Sequence, residues 1–170
     1  GDDRSVCPKP SVGKINADIN NSATTATLTP IGVGALDYPS SGYIRIGSEV
    51  CSFTRSGDVL TIVRGLKGTA ATEHKSGDTV QLCKEYVGQT VQNIVYDLLV
   101  NFCGVYSGYI DLINWNAEQT AYLTRLYSAL ITAPTGVSKL LTELCEQVGI
   151  LLFWDEVNEK LILKSVRPNS

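Results

Sequence analysis

The hydrophobic pattern of this chain changes period near its middle, and that change limits it to two folding units of different type. Up to about residue 86 the apolar residues come in short runs that alternate with polar ones. Beyond it they recur at helical spacing. The fold class expected is therefore α+β: a small all-β barrel or sandwich module over 1–86, then a mixed helix and strand segment over 87–170 that ends in a β-hairpin.

In the first part, residues 24–29, 42–46, 49–55, 59–63 and 79–84 are rich in Thr, Val and Ile and are parted by Gly, Pro, Ser or Asp, as strands between turns are. Gly47-Ser48 suits a type II′ hairpin turn, with its leading Gly at the positive φ. Ser56-Gly57-Asp58 turns a second hairpin. Val59 to Val63 is apolar on both faces and is expected to be central and covered. Residues 30–41 read as an irregular loop and 65–77 as a glycine-punctuated one.

In the second part, Val91, Ile94, Val95, Leu98, Leu99 and Phe102 form one helical stripe, with Thr90 able to cap its start and Gly104 its end. Val137, Leu140, Leu141, Leu144, Cys145 and Val148 form another, ended by Gly149. Between them a third helix is expected from Asn116, with Gln119 as capping partner, and 127–132 reads as helix or strand. Residues 150–155 and 160–166 flank a turn at 156–159.

Charge narrows the function. Only 18% of residues are charged and the net charge is −3, against about 25% charged in ordinary globular chains. Residues 1–86 carry nine basic and nine acidic side chains, and 87–170 carry five and eight. Neither part has the clustered positive charge of a nucleic-acid or anionic-membrane surface. No apolar run reaches the roughly 20 residues of a transmembrane helix. The five cysteines are odd in number and widely spaced, which favours reduced thiols over a disulfide framework or a zinc site. The chain contains no Met, even at position 1, so it is expected to be processed or to be a segment of something longer.

Chemistry-bearing patterns are sparse. His74 is the sole histidine and has neither a nucleophile elbow nor a Cys partner at a known spacing, so hydrogen bonding within its loop is the better reading. Asp155, Glu156 and Glu159 sit at a turn, and Asp97 and Asp111 follow no motif. Gly32-Val33-Gly34 lacks the rest of a phosphate-binding fingerprint. No catalytic residue, cofactor or metal is assigned. Among the aromatics, Tyr106, Tyr109 and Trp115 lie between elements and are the candidates for partner contacts.

Two stretches carry a family resemblance. The run Gly42-Tyr43-Ile44-Arg45-Ile46-Gly47-Ser48-Glu49-Val50, with Arg64-Gly65-Leu66-Lys67-Gly68-Thr69 and then His74, Gly77, Asp78 and Val80, resembles the small β modules of phage tail-tip proteins. The stretch from Val91, Ile94, Asp97, Leu98 and Leu99 through Pro134, Thr135, Val137, Leu140, Leu141 and Leu144 to Phe153-Trp154-Asp155 and Val166-Arg167-Pro168 is similar to an internal segment of the central tail hub, or tip-attachment, proteins of long-tailed bacteriophages.

The resemblance implies a non-enzymatic virion protein, assembled in the host cytoplasm as a homotrimer that closes the distal tail tube. Its partners would be other tail-tip, tube and fibre proteins. It further implies a strand at 127–132, Thr135 as cap of the last helix and the β module as an insertion. Arg64, Gly65, Gly68, His74 and Gly77 would be structural loop residues, with Arg64 and Glu49 bracing the loop as exposed, weakly contributing ions. The alternative is a receptor- or polysaccharide-binding module acting through loops 30–41 and 65–77. A cell-wall hydrolase would need convergent acids, for which Asp155 and Glu156 are the candidates.

Overall fold

The computed structural model describes residues 5–166. In chain order the first elements are β1 (Val6–Cys7), β2 (Lys14–Ile15), β3 (Thr25–Thr29), the short helix α1 (Val33–Asp37), β4 (Ser41–Ile46), β5 (Glu49–Ser56), β6 (Val59–Leu66) and β7 (Val80–Leu82). Next come β8 (Lys84–Thr90), α2 (Val91–Asp97) continued by a π-helical turn (Leu98–Phe102), a 3-10 turn (Ser107–Tyr109), α3 (Leu112–Tyr122), β9 (Leu126–Ile131) and β10 (Thr135–Gly136). The last are α4 (Val137–Val148), β11 (Ile150–Asp155) and β12 (Lys160–Ser165). The chain is mixed α+β and divides into two compact units. One comprises Pro8–Glu85 with Leu130–Pro134, and the other takes the chain on both sides of it. The change of unit at Glu85 falls within a residue of the change in period. Residues 5–7 and 130–134 belong to the opposite unit from the one a single boundary would give them: β1 pairs with β10, and Arg45 Nε donates to Thr132 O at 2.8 Å.

The first unit is a nearly closed antiparallel barrel with strand order β2-β3-β6-β5-β4-β7. Its two end strands approach one another through a bridge between Lys14 and Thr79, with Val80 N donating to Gly13 O at 2.9 Å. Period-two alternation fills it: Ala26 and Leu28, Ile44 and Ile46, Cys51 and Phe53, and Leu60 and Ile62 all face the core. The opposite face of β6 is exposed at Val59, Thr61 and Val63, which corrects the expectation of a strand covered on both sides. Gly47 supplies its hairpin's positive φ, at 58°. Two elements carried too few residues for a pattern to show: β2, and α1 within the stretch read as irregular. Asp58 organises α1 by accepting from Gly32 N at 2.7 Å and Gly34 N at 2.8 Å.

The second unit gathers α2, α3, α4 and the antiparallel pair β11 and β12 around Val91, Val95, Leu99, Trp115, Leu123, Ile150 and Leu163. The hydroxyl of Thr90 caps α2 by accepting from Asn93 N. After Asp97 the helix widens to a π-turn, closed by Cys103 N on Leu98 O at 3.0 Å. α3 starts at Leu112, four residues before the expected Asn116, because the Asp111 carboxylate caps it by accepting from Asn114 N. Residues Leu126–Ile131 form a strand, paired with β8. Thr135 is not the cap of α4: its backbone is engaged with Cys7 in the β1 and β10 pair, and Gly136 stands at the cap position without a side-chain bond. Gly149 ends α4 at φ 78°.

Candidate functional site

In the barrel, alternation places two ions on the inward face. Glu49 continues the series Phe53, Cys51, and Arg64 continues Leu60, Ile62. Opposite Cys51 the register shifts: Val50 pairs with Leu66 and Ser52 with Val63, so β6 carries one extra residue, a bulge that Gly65 accommodates at φ 59°. The bulge turns the Gly65 N–H toward the Glu49 carboxylate.

Glu49 is completely buried and its two oxygens are saturated. Oε1 accepts from Arg64 Nη2 (2.9 Å), Thr72 N (3.0 Å) and His74 Nε2 (2.8 Å). Oε2 accepts from Arg64 Nε (2.8 Å), Gly65 N (3.0 Å) and the Cys51 thiol (3.2 Å). The remaining Arg64 donor bonds reach the carbonyls of Asn20, Ala23 and Thr72. Burial by itself would raise the Glu49 pKa. The bonds from Arg64, Thr72 and His74 outweigh it and hold the carboxyl well below the usual glutamate range. Burial and the adjacent carboxylate push the Cys51 thiol up to about 12.

This arrangement decides what the cluster can do. A Cys, His and Glu triplet suggests nucleophilic catalysis only if the thiolate forms and is reachable. Here the thiol is held protonated as a donor to the carboxylate and is wholly buried. His74 is 4% exposed and is also fixed by its main chain, which exchanges two bonds with Ile19. The cluster therefore ties the 65–77 loop to β5, β6 and the 19–23 segment. Arg64 and Glu49 are not the exposed ions expected, so removing one partner would leave the other as an uncompensated buried charge, which breaking a surface bridge would not. Of the loop residues singled out from sequence, Arg64, Gly65 and His74 meet at Glu49. Gly68 and Gly77 do not: they serve as turns at φ 77° and 92°. Cys51 and Thr72 belong to the site without a motif to announce them.

In the other unit, Tyr106, Tyr109 and Trp154 form an exposed aromatic cluster. Tyr109 meets Tyr106 and Trp154 edge to face, at centroid distances of 5.3 and 5.4 Å. The three are 67, 44 and 44% exposed. Lys160 Nζ donates to Gly108 O and anchors the turn that carries both tyrosines. Trp115 is a correction: it is fully buried at the centre of its core, with indole Nε1 donating to Leu161 O at 2.9 Å, so it touches no partner. The earlier helix start explains this, since it puts Trp115 inside the first turn of α3. Asp155 is engaged in its own turn, accepting from Val157 N and from the main chain and side chain of Asn158. The Asn158 bonds lower its pKa, the reverse of what a general acid needs.

Among the described residues no group of His, Cys, Asp and Glu side chains has a metal-holding arrangement, and no helix is long and apolar enough to cross a membrane. No protein-family model matches the chain, and no curated protein matches it.

Proposed function

We propose that the chain is a structural part of a phage tail tip, a portion of the trimeric central hub that closes the distal tail tube and supports host attachment. The observation that carries this reading is the fate of the Glu49, Arg64, Gly65 and His74 residues. They form a buried lock for a loop of the β module, with a protonated thiol and no reachable nucleophile. Pro8–Glu85 also lies between two runs that belong to the second unit, which supports the insertion that the tail-hub resemblance implies. Half-exposed aromatic and aliphatic side chains at Tyr106, Tyr109, Leu151, Phe153 and Trp154 suit a protein covered by neighbours in its assembly. Light scattering on the full-length protein that contains this chain is expected to give a trimer. A monomer at every concentration would sink the proposal.

A second reading, recognition of a host receptor or polysaccharide, is favoured by one feature of the β module. The 30–41 loop is held by Asp58 yet displays Ile31 and Leu36 at 98 and 82% exposure. Competition by the chain in a phage adsorption assay promotes this reading if Ile31→Ser with Leu36→Ser abolishes it. Absence of competition removes it.

A further inference from the structure

The hairpin of β11 and β12 has one covered edge and one open edge. Val166 N donates to Gly149 O at 2.7 Å, and the register then runs from Ile150 opposite Ser165 to Asp155 opposite Lys160. Antiparallel pairs alternate between bonded and non-bonded. Leu151, Phe153 and Asp155 therefore aim their main-chain groups at β12, whereas Ile150, Leu152 and Trp154 aim theirs away. The far side of β12 is covered by α3, and two of its outward groups are taken: Leu161 O accepts from the Trp115 indole, and Ser165 N donates to Glu118. On the far side of β11, no hydrogen bond among the described residues reaches the main chain of Leu152 or Trp154, and β11 pairs with no strand but β12.

Among the described residues this edge lacks the charges, prolines and bulges that keep natural edges unpaired. The run Ile150-Leu151-Leu152-Phe153-Trp154 contains no charge, proline or glycine. Its outer face is apolar too, with Leu151 and Phe153 at 54 and 45% exposure. Beside it an open groove of about 610 Å³ runs along α4, lined by Leu141 and Cys145 as well as Leu151 and Leu152. Both the edge and the faces of β11 are thus shaped for another strand.

We infer that β11 is a self-pairing edge whose occupant is β11 of a second copy of this chain, added antiparallel about a twofold axis through Leu152. Self-complementarity selects this occupant. Outward-facing residues must pair with outward-facing residues, and the register centred on Leu152 does this throughout: Leu152 lies opposite Leu152 of the second copy and Ile150 opposite its Trp154. The same register sets Leu151 against the second copy's Phe153. Across the resulting four-stranded sheet one row reads Leu163, Leu152, Leu152, Leu163. Another reads Lys164, Leu151, Phe153, Ile162, so the apolar residues meet at the centre and Lys164 stays at the rim. No like charges face each other across the new ladder. The inference concerns the 170-residue chain itself and does not rest on the tail-tip reading.

Sedimentation of the chain from low to high micromolar concentration is expected to show a monomer passing to a dimer. The Leu151→Lys, Phe153→Lys double variant sets lysines opposite one another in this register and is expected to remain monomeric. Mild oxidation supplies a check that does not depend on that variant's folding. An equal mixture of Leu151→Cys and Phe153→Cys chains is expected to form a disulfide between unlike chains, since these residues face each other as a closely spaced non-bonded pair. A wild-type chain that stays monomeric, an association that survives both lysines in a folded variant, or a mixture that yields no disulfide joining position 151 to position 153 overturns the inference.

Discussion

Arg64 and Glu49 form a two-point pair inside the barrel, with Nε 2.8 Å from Oε2 and Nη2 2.9 Å from Oε1, and the carboxylate has no exposure to solvent. Glu49→Gln removes the charge and leaves Arg64 buried without a counter-ion. Breaking a buried pair in this way costs about 3 to 5 kcal/mol. Urea denaturation of the chain is expected to show a loss of that size. A loss under about 1 kcal/mol would mean that the pair behaves like a surface bridge.

Acid is expected to unlock the same site. The folded-state pKa of Glu49 is depressed below its unfolded value, so at low pH the unfolded chain takes up a proton that the native chain resists. The contribution is complete above the ordinary glutamate pKa of about 4.3 and is lost as pH falls from there toward the depressed native value. Stability against pH should therefore fall more steeply below that point in the wild type than in Glu49→Gln. Equal slopes would remove Glu49 as the cause.

Thiol labelling should follow burial. Burial raises Cys51 to about 12 and Cys83 to about 11, and both are buried, as is Cys7. Cys103 and Cys145 are half-buried. In the native chain at neutral pH an alkylating reagent is expected to modify Cys103 and Cys145 first. The other three should react only with denaturant present, as mass spectrometry would show. Rapid native labelling of Cys51 would contradict the buried, protonated thiol and reopen a catalytic reading.

Two glycines at similar φ should respond differently to alanine. Gly149 at φ 78° has open space where a Cβ would go, so Gly149→Ala should cost about 1 to 2 kcal/mol from the left-handed backbone alone. At Gly65, φ 59°, the added carbon would also lie 3.0 Å from Ala71 N, within the loop that Glu49 locks. Thermal denaturation is expected to rank Gly65→Ala below Gly149→Ala, and the reverse order would count against the bulge as the anchor of the loop.

Much of the fold was legible because it depends on residues close in the chain. The alternation of Ala26 with Leu28 and of Leu60 with Ile62, the stripe from Val91 to Leu99, and the stop at Gly149 all follow from local period and φ. Alternation would also have found the core of the site, since counting by twos from Phe53 and from Ile62 turns Glu49 and Arg64 inward. Their charge suggested the surface, and that preference was outweighed by mutual pairing. Thr72 and His74 were not legible in this way, because a loop without regular period brings them back to Glu49. Trp115 was misplaced because Asp111, a polar residue in a turn, proved to be the cap that starts α3 early.

The sequence by itself determined the α+β class, the change of period near residue 86 and most strands and helices, since these rest on side-chain spacing and turn chemistry over a few residues. Only the tertiary structure decided that six donors converge on one buried carboxylate. It alone placed Trp115 in a core and Trp154 on a surface, and left one edge of β11 unpaired among the described residues. The physical reason is that burial and hydrogen-bond satisfaction are set by which distant segments meet, and a buried charge survives only where all its partners arrive together.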